Sequence, residues 1–168
     1  MKKLKKSEFH NSVRGYFAGC LYNEMVSNPD IVVLTADLGY GFLDRIKTDF
    51  PDRFINCGAS EQAMLGIAIG LALKGKIPFT YTITSFYLRC AEGINIYLHG
   101  EQIPVKMAGS GLFDDYEIDG YTHDGTQAQK YLNSLVIRTY YPKTKEEVGK
   151  AVKEMIANKK PSFIGLKR

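Results

Sequence analysis

The sequence predicts an α/β fold, a three-layer α/β/α arrangement around a mostly parallel, six-stranded sheet. Three features lead to it. Six short apolar runs alternate with stretches of helical periodicity along the 168 residues. The first of them, residues 31–34, is apolar throughout, as a strand buried on both faces is. No repeat, low-complexity stretch or internal linker divides them, so residues 1–168 read as one domain behind a basic tail at 1–6.

The elements follow in order. Ser7 can cap a first helix, in which Phe9, Val13, Tyr16 or Phe17, Cys20 or Leu21, and Met25 recur at helical spacing. Asn28-Pro29-Asp30 stops it. Residues 31–34 form a buried strand that ends in a loop with two glycines, Gly39 and Gly41. In that loop Asp37 either points into a cleft or caps a second helix running through Phe50. Phe54–Asn56 is a short strand. A Gly58-Ala59-Ser60 turn leads from it into a helix, ending by Gly75, that is apolar on almost every side, as buried helices are. A third strand follows at 77–82. A helix at 84–98, opened by Ser85, Phe86, Tyr87 and Arg89, precedes a fourth strand at 104–108. Residues 109–125 read as an ordered loop rich in glycine, acids and tyrosine. Thr126–Ser134 is a helix and 135–140 a fifth strand. Thr144 and Glu147 make a capping box before Val148, Val152, Met155 and Ile156. Lys159-Lys160-Pro161 ends that helix, and Ser162–Leu166 is the last strand.

Composition bounds the function. A 24% charged share and a 45% hydrophobic share are those of an ordinary globular protein. The net charge is +4 and four lysines stand among the first six residues, so the body is near neutral and no nucleic-acid surface is indicated. No apolar core follows the basic start, which argues against a signal peptide. No run approaches the roughly 20 apolar residues of a membrane span. Cys20, Cys57 and Cys90 are odd in number and far apart, which fits free thiols in a reducing cytoplasm rather than a zinc site or a disulfide framework.

Ligands of open parallel sheets bind at the carboxyl ends of the strands. Asp37, the Gly58-to-Glu61 turn, Ser85 with Phe86, and the 109–125 loop all follow strands and would share one edge. Glu61 opens the apolar helix. It is either a first-turn acid, worth up to about 1 kcal/mol against the helix dipole, or a functional acid whose proton is held by an apolar wall, since burial raises a carboxyl pKa. Gly66 and Gly70 lie four apart on one face of that helix and suit tight helix–helix packing between subunits.

The ordered motifs carry a resemblance. Gly58-Ala59-Ser60-Glu61-Gln62, the small-residue helix with Gly70-Leu71-Ala72, Pro78, Thr84-Ser85-Phe86-Tyr87-Leu88-Arg89 and Asp119-Gly120-Tyr121-Thr122-His123 resemble the pyrimidine-binding domain of transketolases. The stretch ending in Arg89 is similar to a Ser-x-Phe-x-x-Arg stretch of 1-deoxyxylulose-5-phosphate synthases. The likeness runs from about Asp37 to Arg168. It implies that Glu61 hydrogen-bonds the aminopyrimidine of thiamin diphosphate as a catalytic acid, so that the cofactor itself serves as base. It implies that Phe86 stacks on that ring and that Ser85 and Asp37 lie along the cofactor. It implies further that His123 stands by the reacting carbon, that Asp119 binds a sugar hydroxyl, and that Arg168 or Arg89 grips a substrate phosphate. There are departures. Gly41 stands where transketolases carry a phosphate-binding serine, Gly109-Ser110-Gly111 replaces a Thr-His-Asp-Ser segment, and Tyr121 replaces a proline.

The family's magnesium-binding Gly-Asp-Gly with trailing asparagines, and its C-terminal domain, have no counterpart here. The resemblance therefore implies one half of a split enzyme. A separate diphosphate-binding subunit would hold magnesium and share the cofactor, in a two-plus-two assembly containing a homodimer of this chain. The implied reaction transfers a two-carbon ketol unit between sugars or sugar phosphates. The rivals are decarboxylation and condensation of a 2-keto acid, as in deoxyxylulose synthase, and a non-catalytic partner subunit. The retained Glu61 argues against the last.

Overall fold

The aliphatic run Ile31–Thr35 is buried at all five positions, and this strand (β1) lies second from one edge of the sheet. In the computed structural model, which describes residues 1–113 and 115–168, six strands are ordered β2-β1-β3-β4-β6-β5. They are β1, β2 (Phe54–Asn56), β3 (Ile77–Ile83), β4 (Lys106–Ser110), β5 (Arg138–Tyr140) and β6 (Ser162–Leu166). Every pairing is parallel, with Thr35 opposite both Asn56 and Tyr81, and Ser110 opposite Ile83 and Leu166. The predicted sheet is thus fully parallel. Asp114, inside the loop read at 109–125, lies outside the described residues.

Helices cover both faces, as parallel crossovers require. On one side α1 (Val13–Ser27), α2 (Asp44–Asp49) and α6 (Lys145–Ala157) enclose Phe17, Leu21, Val33, Phe79 and Ile164. On the other, α3 (Glu61–Leu73), α4 (Ala91–Gly93) with its flanking turns, and α5 (Thr126–Ser134) enclose Leu34, Met64, Leu65, Tyr87, Met107 and Phe163. No helix among the described residues is long and apolar enough to cross a membrane.

Several boundaries differ from the sequence reading, each for a local reason. The first helix is capped by Ser12, whose Oγ accepts the Gly15 N–H at 3.0 Å; Ser7 lies in a separate 3₁₀ turn. Phe9 is outside that helix and packs where a Cβ on Gly19 would stand, so an aromatic at helical spacing belongs to an arm lying on α1. That arm is anchored at Leu4, whose backbone N–H and C=O both bond the Asn23 carboxamide. Asp37 does not cap α2: that helix starts at Asp44, and Asp37 sits at φ +55° in the preceding loop. The helix read at 84–98 is a 3₁₀ segment (Thr84–Cys90), one α turn, and a π segment (Ile94–Gly100). The tight winding turns Tyr87 inward, where its hydroxyl lies 3.1 Å from Thr80 O and 3.2 Å from Ala108 O. The fourth strand begins two residues later than expected because Pro104 has no N–H to pair. The capping box on α6 is half formed: Thr144 Oγ1 accepts the Glu147 N–H, but Glu147 reaches back to Lys143.

The apolar helix α3 is not buried on every side. Its sheet face, with Met64, Leu65, Ala68 and Ile69, is covered; Gln62, Gly66, Ile67, Gly70 and Leu73 face outward, Leu73 with 68% exposure. This chain alone supplies a partner for only one face.

Lys106 is buried inside β4. Its ammonium donates to Asn158 O, Asn158 Oδ1 and Lys160 O at 2.5–2.9 Å, tying β4 to the α6–β6 turn. Burial pulls its pKa down to about 8.

Gly109 marks the tightest point between β4 and its covering layer. A Cβ there would stand 2.5 Å from Thr84 Oγ1 and 2.8 Å from Phe163 Cε2. Gly109→Ala is expected to lower the unfolding free energy by about 1–3 kcal/mol, measured by urea denaturation followed by circular dichroism.

Candidate active site

The strand order places the switch point between β1 and β3, and the loops after β1, β2, β3 and β4 leave the sheet at the same edge. Glu61 is the first residue of α3 and is only 3% exposed. The Arg89 Nη1 donates to its Oε2 at 2.9 Å, and the Thr82 hydroxyl at the end of β3 approaches Oε1 at 3.4 Å. Arg89 comes from the 3₁₀ segment, where the Gln62 amide donates to its backbone carbonyl at 2.9 Å. A hollow of about 490 Å³, lined by Ala59, Ser60, Glu61, Gln62 and Arg89, opens over the carboxylate. Glu61 is therefore no ordinary first-turn acid, because such acids lie in solvent.

From Glu61 a continuous chain of contacts crosses the edge. The Arg89 guanidinium lies 4.0 Å above the Phe86 ring. Phe86 meets the His123 ring edge-on at 5.1 Å, and His123 is 6.1 Å from the Tyr116 ring. The Arg168 guanidinium stacks on Tyr116 at 4.5 Å and pairs with Asp119 at 2.9 Å. Arg168 is further held by its backbone N–H, which donates to Asp115. Ser85 donates its hydroxyl to Thr122 O at 3.0 Å, pinning the His123 loop to the 3₁₀ segment. Of the residues singled out in the sequence, Glu61, Ser85, Phe86, Arg89, Asp119, His123 and Arg168 are thus brought together. Asp37 stands apart at the β1–α2 loop. Its carboxylate accepts from Asn56 Nδ2 at 3.1 Å and from the Tyr40 hydroxyl, and these bonds lower its pKa.

Two residues were missed by the sequence reading, Arg14 and Tyr116. The Tyr116 hydroxyl is 2.7 Å from Ser110 Oγ and accepts from Arg14 Nη1 at 3.1 Å. Arg14 Nε is buried with no hydrogen-bond partner, and among the described residues Arg14 forms no ion pair with a carboxylate. It lines a cavity of about 300 Å³ with His10, Leu38, Tyr40, Tyr81 and Tyr116, where burial pushes Tyr81 up to about 12. A guanidinium in the first turn of a helix opposes the helix dipole. That was the available signal. Chemically, the edge offers a buried carboxylate beside an aromatic ring, a histidine next to it, and at the far end a guanidinium short of acceptors.

The profile of the family described as "Transketolase, pyrimidine binding domain" matches residues 11–168. The chain is 32% identical over 141 residues to the 6-deoxy-6-sulfo-D-fructose transketolase subunit SqwH of Clostridium sp. (strain MSTE9), covering 82% of this chain and 44% of that protein. It is 33% identical over 138 residues to the 1-deoxy-D-xylulose-5-phosphate synthase of Anaeromyxobacter sp. (strain K), covering 80% of this chain and 21% of that protein. The solved structure of a split gene transketolase, an inactive beta4 tetramer, superposes with a TM-score of 0.81 at 28% identity, over 92% of this chain and 51% of the other. The transketolase of Leishmania mexicana shares the fold, with a TM-score of 0.83 at 22% identity over 98% of this chain and 26% of the other. The chain thus spans about half or less of the length of each relative it matches. With the family profile covering nearly its whole length and the parallel sheet superposing on these structures, the chain belongs to the transketolase pyrimidine-binding domain family.

Proposed function

We propose that this chain is the pyrimidine-binding half of a thiamin-diphosphate-dependent, transketolase-like enzyme that transfers a two-carbon ketol unit between sugars in the cytoplasm. The observation that carries the reading is Glu61: a carboxylate with 3% exposure, facing a hollow and joined through the Arg89 guanidinium to the half-buried ring of Phe86. This pair fits an aminopyrimidine, because it already holds a flat N–H donor, the Arg89 guanidinium, by one hydrogen bond and one stacked face.

When bound, thiamin diphosphate supplies the nucleophilic carbon and the electron sink. The chain's own residues do the rest. Glu61 holds a proton at a pyrimidine ring nitrogen, Phe86 fixes the ring plane, and Ser85 keeps the His123 loop docked. His123, against Phe86, moves a proton at the substrate oxygen nearest the reacting carbon. Asp119 takes a sugar hydroxyl, and Asp37 borders the cofactor from the β1–α2 loop. Arg14, which lines the cavity of about 300 Å³ beside Tyr116, receives with Arg168 the charged end of the substrate. On this reading magnesium and the diphosphate fall to a separate subunit. The similarity to SqwH, itself a transketolase subunit, and to a split gene transketolase supports a divided enzyme. The outward face of α3, where added Cβ atoms on Gly66 and Gly70 would meet nothing within 4 Å, suits packing against a second copy.

A second reading is decarboxylation of a 2-keto acid followed by condensation. The 33% identity to a deoxyxylulose-phosphate synthase and the resemblance of the stretch ending in Arg89 to the Ser-x-Phe-x-x-Arg stretch of that family favour it. Asp119 and His123 at the site favour the sugar transfer.

The test is reconstitution with a chain that carries the diphosphate half, with thiamin diphosphate and magnesium, against a panel of ketoses and 2-keto acids. Glu61→Ala is expected to cut turnover at least about 100-fold while co-elution with the partner persists on size exclusion. Arg14→Met is expected to raise KM about 10- to 100-fold for ketoses with a terminal phosphate or sulfonate and to leave KM for uncharged ketoses in place, read from steady-state kinetics.

A further inference from the structure

We infer that Arg89 occupies the pyrimidine seat of the uncomplexed chain and has to leave it for the cofactor to enter. The inference rests on the assignment of Glu61 and Phe86 to the aminopyrimidine. The guanidinium makes both contacts given to that ring. It donates to Glu61 Oε2 at 2.9 Å, and its central carbon lies over the Phe86 ring, 4.0 Å from the ring centre. Both groups are planar N–H donors of similar thickness, so guanidinium and heterocycle compete for the same oxygen and the same ring face.

The arrangement has a physical reason. Glu61 is nearly sealed from water, and an ionised carboxylate left there alone is costly. Apart from Arg89, the long contact to Thr82 is the one side-chain hydrogen bond to it among the described residues. Arg89 satisfies the carboxylate while the cofactor is away. Exchange requires little movement: the Arg89 side chain is 52% exposed and its backbone carbonyl is pinned by Gln62, so a change of rotamer clears the seat. The cofactor's apparent affinity is then reduced by the fraction of chains whose seat is open. Loading is thereby coupled to assembly, since the diphosphate grip of the second subunit supplies the binding energy that displaces Arg89.

The experiment uses the reconstituted hetero-oligomer in three forms: wild type, Arg89→Leu and Arg89→Lys. Calorimetric titration with thiamin diphosphate and magnesium gives Kd, and steady-state kinetics give the ketose KM. Arg89→Leu is expected to tighten the cofactor Kd about fivefold or more and to enlarge the cofactor-induced rise in thermal midpoint. Arg89→Lys keeps a cation near Glu61 without the flat stack and is expected to fall between. It decides the matter alone if the leucine variant does not fold. An unchanged or weaker Kd in the folded variants overturns the inference. So does a raised ketose KM at constant Kd, which would make Arg89 a substrate ligand. A wild-type complex that binds no thiamin diphosphate refutes the proposed function itself, whereas normal wild-type binding with unaltered variants refutes only the role of Arg89.

Discussion

The buried carboxylate of Glu61 constrains the rest of this sheet edge. A charge with so little access to water must be met by donors, and here they come from three places. The α3 N-terminus contributes its partial positive charge, Thr82 a hydroxyl, and Arg89 a full charge. Glu61 follows β2 and Thr82 ends β3, which flank β1 on opposite sides. The carboxylate therefore meets its partners across the end of the intervening strand, and the contact depends on the β2–α3–β3 crossover being intact. The site is a property of the parallel topology and not of any single loop.

The second half of the edge is held by an anchored loop. Asp115 accepts the backbone N–H groups of Leu112 and Arg168, Asp124 accepts that of Thr126, and Gly111 bonds Leu166 across the end of β6. These acids are consumed locally, which is why a segment so polar presents His123 at a fixed place beside Phe86. A loop positioned by a rigid scaffold is the usual carrier of reactive groups. The unusual element is Tyr116, which touches both guanidiniums at the far end. One face of its ring carries Arg168 while its hydroxyl serves Arg14, so the two cations are held apart by an uncharged spacer.

Much of this was legible in the sequence because it is local. Strands Phe54–Asn56 and Ser162–Leu166 and the helix Thr126–Ser134 have the predicted bounds, each set by flanking glycines, prolines or caps. Glu61, Phe86 and His123 were found because each follows a strand or sits in an ordered motif. What escaped is non-local. Arg14 meets Ser110 and Tyr116 from 96 and 102 residues away, and no spacing rule links them. The pairing of Arg168 with Asp119 and of Arg89 with Glu61 likewise depends on the fold. Phe9 was drawn into the first helix because an arm folded back over Gly15 and Gly19 mimics helical periodicity.

The reading of α3 shows what such a mismatch means. Its sequence is apolar all round, the pattern of a helix with neighbours on every side. In this chain Ile67 remains 41% exposed and Leu73 more so, and the stripe holds two glycines with open space above them. Neither the periodicity nor the fold is at fault. A helix with this pattern that is covered on one side leaves an apolar stripe open to a further packing partner. Glu61 lies at the N-terminal end of this same helix, so the bare stripe and the buried carboxylate belong to one element.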